Sequence, residues 1–359
     1  MAVYVHTKII LHLCVAILFT AAGTVYAADD DPEDAKPPDS VKTEYELGQG
    51  YHFGDSGLTL GGYTSLQYQD LQNQGSDNAQ TSLSHLSMFV WWQNNSHFKM
   101  FAEIDNQDPL SADDQSLDNG QNFLAIERLY FDYTINDSVT FRAGKFLAPI
   151  GRWNQIHADP LVWTTSRPLI TVNLFPEHIT GGMALGNVSI MGQEADYTLY
   201  LSKGTDIKPD RAQGQFNEAY GARLNLPLND NLQVGVSYSS FEVTAKPGSN
   251  EQLLGMDFIW SLGGFEISAE TAWRFSSLGS PYNIKGGFIQ SVAPLYGNLF
   301  AVGRIESVGN GPQQDATRLG VLGINYRYSR AVSFKAELIH GISQPINDSG
   351  FLSSVSVLF

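Results

Sequence analysis

Apolar and polar side chains alternate with a period of two along most of this chain, and this alternation limits its possible folds more than any other feature. From about residue 57 onward, about sixteen short strand-like segments follow one another. The connections between them alternate in length, with seven short and eight long. The chain ends inside the last segment, on Phe359. These features predict an all-β fold, a transmembrane antiparallel β-barrel with short periplasmic turns and long extracellular loops.

The two faces of single segments differ as a barrel wall requires. In 265–275, Phe265 and Ile267 share one face, while Glu266 and Glu270 share the other. An Arg or Lys on the lipid side costs about 2–4 kcal/mol at the membrane midplane. The charged faces should therefore point into the lumen. The residues predicted to line the pore wall are Arg128, Arg142, Arg223, Arg274, Arg304, Glu266, Glu270, Lys335 and Glu337.

Composition supports a membrane protein without spanning helices. Charged residues make up 16% of the chain, whereas soluble domains usually have about 25%. No internal run reaches the about 20 apolar residues that a transmembrane helix needs. A closed barrel is then the fold that pairs every backbone polar group within a bilayer.

The beginning of the chain is organised as an export signal followed by a leader. Residues 1–27 are predicted to be a signal peptide, with an apolar stretch after Lys8 and cleavage after Ala27. Cys14, the one cysteine, lies inside this segment, so the cleaved chain would have no disulfide. Residues 28–56 are expected to be an acidic, proline-rich periplasmic leader that is flexible in residues 28–46, and residues 57–359 the barrel domain. The expected location is the bacterial outer membrane.

The formal net charge of −16 argues against nucleic-acid binding. It does not determine the ions that a pore would prefer, because net charge does not locate the charges.

The longest connection, residues 148–180, is predicted to narrow the pore. It is rich in apolar residues, among them Trp153, Trp163 and Phe175. An exposed connection of that length should be polar, so we expect the segment to fold into the lumen. The alternative is packing at a subunit interface or over the barrel mouth. The charged residues predicted to form the constriction are Arg152, His157, Asp159, Arg167, Glu177 and His178.

The arginines on the predicted wall allow two interpretations. They could line a path for anions, because a guanidinium stays charged and binds anionic oxygens well. They could instead pair with acidic residues and fill the lumen. The candidate partners are Glu103, Asp105, Asp132, Asp257, Glu266, Glu270, Glu306 and Glu337.

A short segment resembles a known family. The run Phe141–Phe146, followed by Pro149-Ile150-Gly151, is similar to a segment of the phosphate-selective (O/P-type) outer-membrane porins. The resemblance implies a sixteen-stranded, homotrimeric diffusion pore for ions and small solutes, in contact with outer-membrane lipid and lipopolysaccharide. Phosphate selectivity is not carried over, because only 20 basic residues face 37 acidic ones after cleavage.

An enzyme and a surface receptor are the alternatives to a pore. An outer-membrane barrel enzyme would need a nucleophile beside a base, but the histidines are scattered and no metal-ligand spacing stands out. We therefore predict no catalytic residue, metal or cofactor. An adhesin or phage-receptor role of the long loops remains compatible with a pore.

Overall fold

The computed structural model describes residues 44–359 apart from residues 73–78, 95–96, 114–115, 119–121, 157, 209–213, 246–247, 277–282, 310–315 and 343–348. The predicted signal peptide and most of the predicted leader lie outside the described residues, as does His157.

Sixteen antiparallel strands of the described chain form a closed wall. The first eight are β3 (Leu58–Gln72), β4 (Gln80–Asn94), β5 (Phe98–Ala112), β7 (Phe123–Asn136), β8 (Val139–Leu147), β9 (His178–Ile190), β10 (Gln193–Lys203) and β11 (Phe216–Asn229). The others are β12 (Leu232–Val243), β13 (Asn250–Leu262), β14 (Phe265–Ser276), β15 (Ile284–Tyr296), β16 (Leu299–Val308), β17 (Thr317–Arg327), β18 (Val332–Gly341) and β19 (Ser349–Leu358).

The wall closes where its last strand meets its first. Ser349 to Leu358 of β19 pair with Gln72 to Tyr63 of β3. Closure leaves no unpaired edge among these sixteen strands. The predicted all-β barrel of sixteen strands is confirmed.

Three short strands and four short helical segments accompany the wall. The strands are β1 (Glu44–Glu46), β2 (Gly50–His52) and β6 (Leu117–Asp118). The helix α1 covers Leu169–Asn173, and 3-10 turns cover Gly54–Ser56, Trp153–Gln155 and Asp159–Leu161. Among the described residues, no helix is long and apolar enough to cross a bilayer.

The described end of the predicted leader, residues 44–56, contains two short strands. β1 pairs with β2, and Tyr51 of β2 pairs with Leu60 of β3. Residues 44–56 therefore extend the sheet at the short-turn end of the barrel. Backbone pairing with β3, which composition does not reveal, orders them.

The wall exposes apolar side chains and buries charged ones, which is the reverse of the distribution in a soluble protein. Large apolar side chains such as Leu254, Met256 and Ile305 are exposed on the outer face, whereas charged side chains such as Glu103 and Arg304 are buried inside. Aromatic residues such as Phe98, Tyr133 and Phe141 are exposed near the short turns. This is the arrangement of a wall with lipid outside and an aromatic girdle at the interface.

Candidate functional site

The connection between β8 and β9, residues 148–177, lies inside the barrel, and we call it the inner loop. Its two ends are joined to each other, because the backbone N–H of Ala148 donates to the carbonyl of Glu177 at 2.7 Å. The buried side chain of Asn154 donates to both carbonyls, at 2.9 Å to Ala148 and 3.1 Å to Glu177. The inner loop thus forms a closed stem before it crosses the lumen.

The first crossing is held by Glu270 on β14. This carboxylate accepts the backbone N–H groups of Arg152, at 2.9 Å, and of Trp153. Gly151 just before them has a φ of +66°, and a Cβ there would lie 2.3 Å from Glu270 Oε2. Only glycine combines this conformation with this close approach.

The middle of the inner loop is attached to β14 again and to two more strands. The indole N–H of Trp163 donates to Glu266 of β14 at 3.0 Å. Asn325 of β17 donates to the Trp163 carbonyl at 2.9 Å. The ammonium group of Lys335 on β18 donates to the carbonyl of Asp159 at 2.5 Å. The last two bonds satisfy backbone carbonyls of the inner loop that would otherwise lack a partner.

Arg304 on β16 makes the densest set of contacts. Its guanidinium donates to Thr164 Oγ1 at 2.7 Å, to Ser166 Oγ at 2.7 Å and to the Ser166 carbonyl at 3.1 Å. Glu306 lies 3.2 Å away as its ion-pair partner. The backbone N–H groups of Thr165 and Ser166 in turn donate to Glu337.

The last part of the inner loop packs through apolar side chains. Ile170, Leu174 and Phe175 are buried in one cluster with inward residues of the wall such as Phe241 and Phe288. This packing accounts for the unusual apolar content of the segment.

The predicted constriction residues lie at different positions along the inner loop and at its end. Arg152 and Asp159 lie on the part of the inner loop that crosses the lumen, while Glu177 ends the loop and His178 begins β9. Arg167 pairs with Glu177, and His178 Nε2 lies 2.8 Å from Glu127 Oε2. Burial alone would lower the pKa of Arg167, but the charge of Glu177 raises it above the ordinary value.

Asp159 lies among cationic groups. Burial alone would raise its pKa, but His85 when protonated and Lys335 together lower it below the ordinary value. A hydrogen bond from Ser65 acts in the same direction. Asp159 is therefore a carboxylate, and in this charged form it fixes the inner loop.

The five wall arginines are paired with acidic side chains, which supports the second interpretation, although Glu251, the partner of Arg274, is not among the candidate partners named from the sequence. Four pairs join different strands, at 2.6 Å for Arg128–Glu103, 2.8 Å for Arg142–Asp132 and 2.6 Å for Arg223–Asp257, with Arg274–Glu251 as the fourth, while Arg304 and Glu306 lie on the same strand. The Arg223–Asp257 pair spans the strand between its partners, over Gly235, where a Cβ would lie 2.5 Å from the Asp257 oxygens.

The exposed fraction of each side chain shows that only some of the residues predicted to line the pore are in contact with the lumen. Five of the nine predicted wall residues face inward but are buried: Arg223, Arg304, Glu270, Lys335 and Glu337. The reason is that the inner loop, or an ion-pair partner beside it, covers them. We call the inner surfaces of β12 and β14–β19, which the inner loop touches, the covered face.

The inner surface of β7–β10 is different, and we call it the open face. The side chains of Arg128 and Arg142 are 20% and 21% exposed, against 0% for Arg304. The Arg142 guanidinium stacks on Tyr130 at 3.6 Å from the ring centre. These residues and Thr198 line a cavity of about 180 Å³, to which Pro149 and Gln155 of the inner loop also contribute.

Sequence reasoning missed several charged residues inside the barrel, among them Glu127 and Arg327. Glu127 is buried and accepts a hydrogen bond from Gln107 at 2.8 Å, and a register shift between β5 and β7 beside it interrupts the strict alternation. Arg327 ends β17 beside Trp163, with its guanidinium 3.7 Å from the ring centre. Strand parity would have placed Arg327 inward, because it lies two residues beyond Asn325.

The contacts around His85 do not follow the order that a catalytic triad requires. His85 Nδ1 lies 2.7 Å from one oxygen of Asp105, and Ser87 Oγ donates to the other at 2.8 Å. The acid thus stands between Ser and His, whereas a serine nucleophile needs the imidazole as its neighbour. Within the described residues, no group of three or more His, Cys, Asp or Glu could hold a metal ion.

Comparison by sequence gives little identity. No protein-family model matches the chain. An uncharacterized protein of Aquifex aeolicus is 24% identical over 232 residues, which are 59% of this chain. The match spans about half of that relative, 51% of its length.

Comparison by structure identifies the fold. The outer membrane channel DcaP of Acinetobacter baumannii has a TM-score of 0.61 at 9% identity, over 87% of this chain and 100% of that one. An anion-selective porin from Comamonas acidovorans scores 0.56 at 11% identity, over 84% and 98%. The trimer form of OmpT, an outer membrane protein of Vibrio cholerae, scores 0.51 at 9% identity, over 84% and 99%. The fold is that of outer-membrane porins.

Proposed function

We propose that this protein is a bacterial outer-membrane porin that lets ions and small hydrophilic solutes diffuse through its lumen. One observation carries the proposal. A closed sixteen-stranded wall has apolar residues outside and charged residues inside, and its inner loop leaves partly exposed polar side chains on the open face. A water-filled path along Arg128 and Arg142 follows from that arrangement. In this proposal the inner loop is the constriction, and the outer face contacts lipid and lipopolysaccharide.

Planar bilayer recording tests the proposal directly. The chain lacking residues 1–27 is refolded, purified and added to a bilayer in KCl. We expect stable current steps that are proportional to voltage. A heat-unfolded sample of the same preparation is the control. A barrel that is folded by circular dichroism and inserts without any current would contradict the porin function.

A preference for anions is the second candidate, and the asymmetry of the open-face ion pairs favours it. Arg128 and Arg142 are partly exposed, whereas Glu103 and Asp132 beside them are 0% and 10% exposed. Solutes on the open face would then meet guanidinium groups before carboxylates. The porin from Comamonas acidovorans described as anion-selective has the same fold. The reversal potential in a KCl gradient gives the sign of the preference.

The finer resemblance to phosphate-selective porins rests on residues 141–146 and 149–151. Within that segment, Arg142 lies on the open face, but Lys145 is buried in an ion pair with Asp206 at 2.8 Å. Titration of phosphate during recording tests this proposal. Block at low phosphate concentration would support it, and unchanged current would remove it.

A homotrimer is the proposed assembly. It is supported by the resemblance and by the trimer form of the Vibrio cholerae protein with this fold. Native mass spectrometry in detergent tests it, and a mass of one chain without higher species would contradict it.

A further inference from the structure

The inner loop encloses a second cavity, which the proposed diffusion path along the open face does not use. This cavity lies between the loop and the wall strands β13, β14, β15 and β17 and has a volume of about 220 Å³. The side chains that matter below are Arg152, Trp153, Trp163, Glu266, Gln290 and Arg327. Glu266 and Arg327 lie at the strand ends next to the short turns, so the cavity is on the short-turn side of the loop.

The size and apolar surface of the cavity suit one planar ring. An engineered protein cavity of about 150 Å³ binds benzene, so this volume accommodates a ring with small substituents. Trp153 and the face of Trp163 that Arg327 does not cover supply aromatic surface, and Phe288 adds a buried apolar surface. Stacked and edge-on aromatic contacts of this kind stabilise a bound ring beyond its burial.

Two buried polar atoms at this cavity have no partner among the residues that the structure describes. They are Oε1 of Gln290, a side chain that is 3% exposed, and Nε of Arg327. Buried polar groups normally have a hydrogen-bond partner. The Gln290 oxygen requires a donor such as a hydroxyl group, and the Arg327 guanidinium requires an acceptor such as a carboxylate.

The charges at the cavity allow an anion to bind. Glu270 is already occupied by the backbone N–H groups of Arg152 and Trp153, and Glu266 accepts the indole N–H of Trp163. The Arg152 guanidinium donates to Gln233 at 3.1 Å, through one of its nitrogens. The remaining donors of Arg152 and those of Arg327 are suited to a planar carboxylate.

We propose that this cavity is a saturable binding site for a small phenolic carboxylate, held by aromatic stacking on tryptophan, by Arg327 at its carboxylate and by Gln290 at its hydroxyl group. Such a site goes beyond passive diffusion, because a bound solute would have a residence time in the lumen. The electrical test below depends on the proposed porin function, whereas the calorimetric test does not.

The experiment uses 4-hydroxybenzoate as the probe and benzoate as its partner without the hydroxyl group. Isothermal titration of the refolded barrel in detergent should give saturable binding of 4-hydroxybenzoate. Arg327→Gln should weaken binding of both compounds at least tenfold. Gln290→Leu should weaken 4-hydroxybenzoate about tenfold and leave benzoate unchanged, which a merely structural effect would not do.

A matched control is available on the same strand. Arg318 is exposed at the other end of β17, and Arg318→Gln should bind both compounds as the wild type does. In the bilayer, 4-hydroxybenzoate should interrupt the current for brief periods whose frequency rises with concentration.

The outcomes separate the two proposals. A barrel that conducts KCl but neither binds 4-hydroxybenzoate nor shows interruptions overturns the binding site and leaves the porin intact. Equal affinity in wild type and Arg327→Gln also overturns it. Calorimetric binding in a barrel that gives no current supports the site and removes the porin function.

Discussion

The covered face and the open face of the barrel contain the same kind of ion pair in different surroundings. Arg304 with Glu306 is fully buried and is bonded to the inner loop, whereas Arg142 with Asp132 remains in contact with the lumen. Ion pairs in the covered face attach a loop of 30 residues to the wall. Those in the open face present charge to solutes. The difference is therefore created by the inner loop, since the residue types are the same.

The largest expected effect on stability comes from removing an ion pair of the covered face. Arg304→Ala would leave Glu306 buried without its cation and remove three bonds to the inner loop. We expect the free energy of unfolding to fall by about 3–5 kcal/mol, the usual cost of breaking a buried pair. Urea titration of the barrel in lipid vesicles measures it.

The same variant should change the current. If Arg304 holds the inner loop, its loss should give larger or noisier single-channel steps. Arg330→Ala, at an exposed turn residue, is the matched control and should behave as wild type. Wild-type stability and current in Arg304→Ala would contradict the role of the covered face.

A smaller effect is expected at Gly235. Alanine there would bring a Cβ to 2.5 Å from Asp257 and 2.6 Å from Arg223. We expect a loss of about 1–3 kcal/mol from this overpacking, measured by the same urea titration. Gly303→Ala is the control, since its nearest neighbour would be Ser291 Oγ at 3.6 Å. Equal stability of the two variants would show that the Arg223–Asp257 pair does not need the glycine.

The variant Asp159→Asn tests, through the pH dependence of stability, whether Asp159 holds the inner loop. The pKa of Asp159 lies below the ordinary value, because the cationic groups around it outweigh its burial. Its stabilisation is therefore complete above the ordinary aspartate pKa of about 3.9 and is lost as pH falls through the lowered value. We expect wild type to be more stable than Asp159→Asn by about 1 kcal/mol at pH 7. The difference should persist at pH 5 and vanish in stronger acid. A difference that disappears between pH 7 and pH 5 would contradict the lowered pKa.

The variants with the smallest expected effect on the free energy of unfolding test the difference between the two faces through ion selectivity. Arg128→Gln with Glu103→Gln removes an open-face pair without leaving a buried charge alone. Arg223→Gln with Asp257→Asn does the same for a buried pair. We expect the first double variant to shift the reversal potential toward cations and the second to leave it unchanged. An equal shift in both would mean that the faces do not differ in access.

Much of the wall could be predicted from the sequence, because a side-chain period of two and the parity of the connections are local properties. Inward charge at Arg223, Glu270 and Lys335 followed from that parity. Their burial did not, since it depends on where the inner loop crosses the lumen. The Arg223–Asp257 pair joins strands that are not neighbours, which no spacing in the sequence indicates. At Glu127 the register shift between β5 and β7 invalidates the parity rule itself.

Cysteine accessibility tests the division of the lumen most directly. The one cysteine, Cys14, lies in the predicted signal peptide, so a single introduced thiol can be modified alone. Thr198→Cys places it on the open face, and Ser354→Cys places it on the covered face, where Thr165 Oγ1 lies 2.8 Å from Ser354 Oγ. The structure predicts that a charged methanethiosulfonate reagent lowers the current of Thr198→Cys and leaves that of Ser354→Cys unchanged. Modification of Ser354→Cys with no effect on Thr198→Cys would contradict this account.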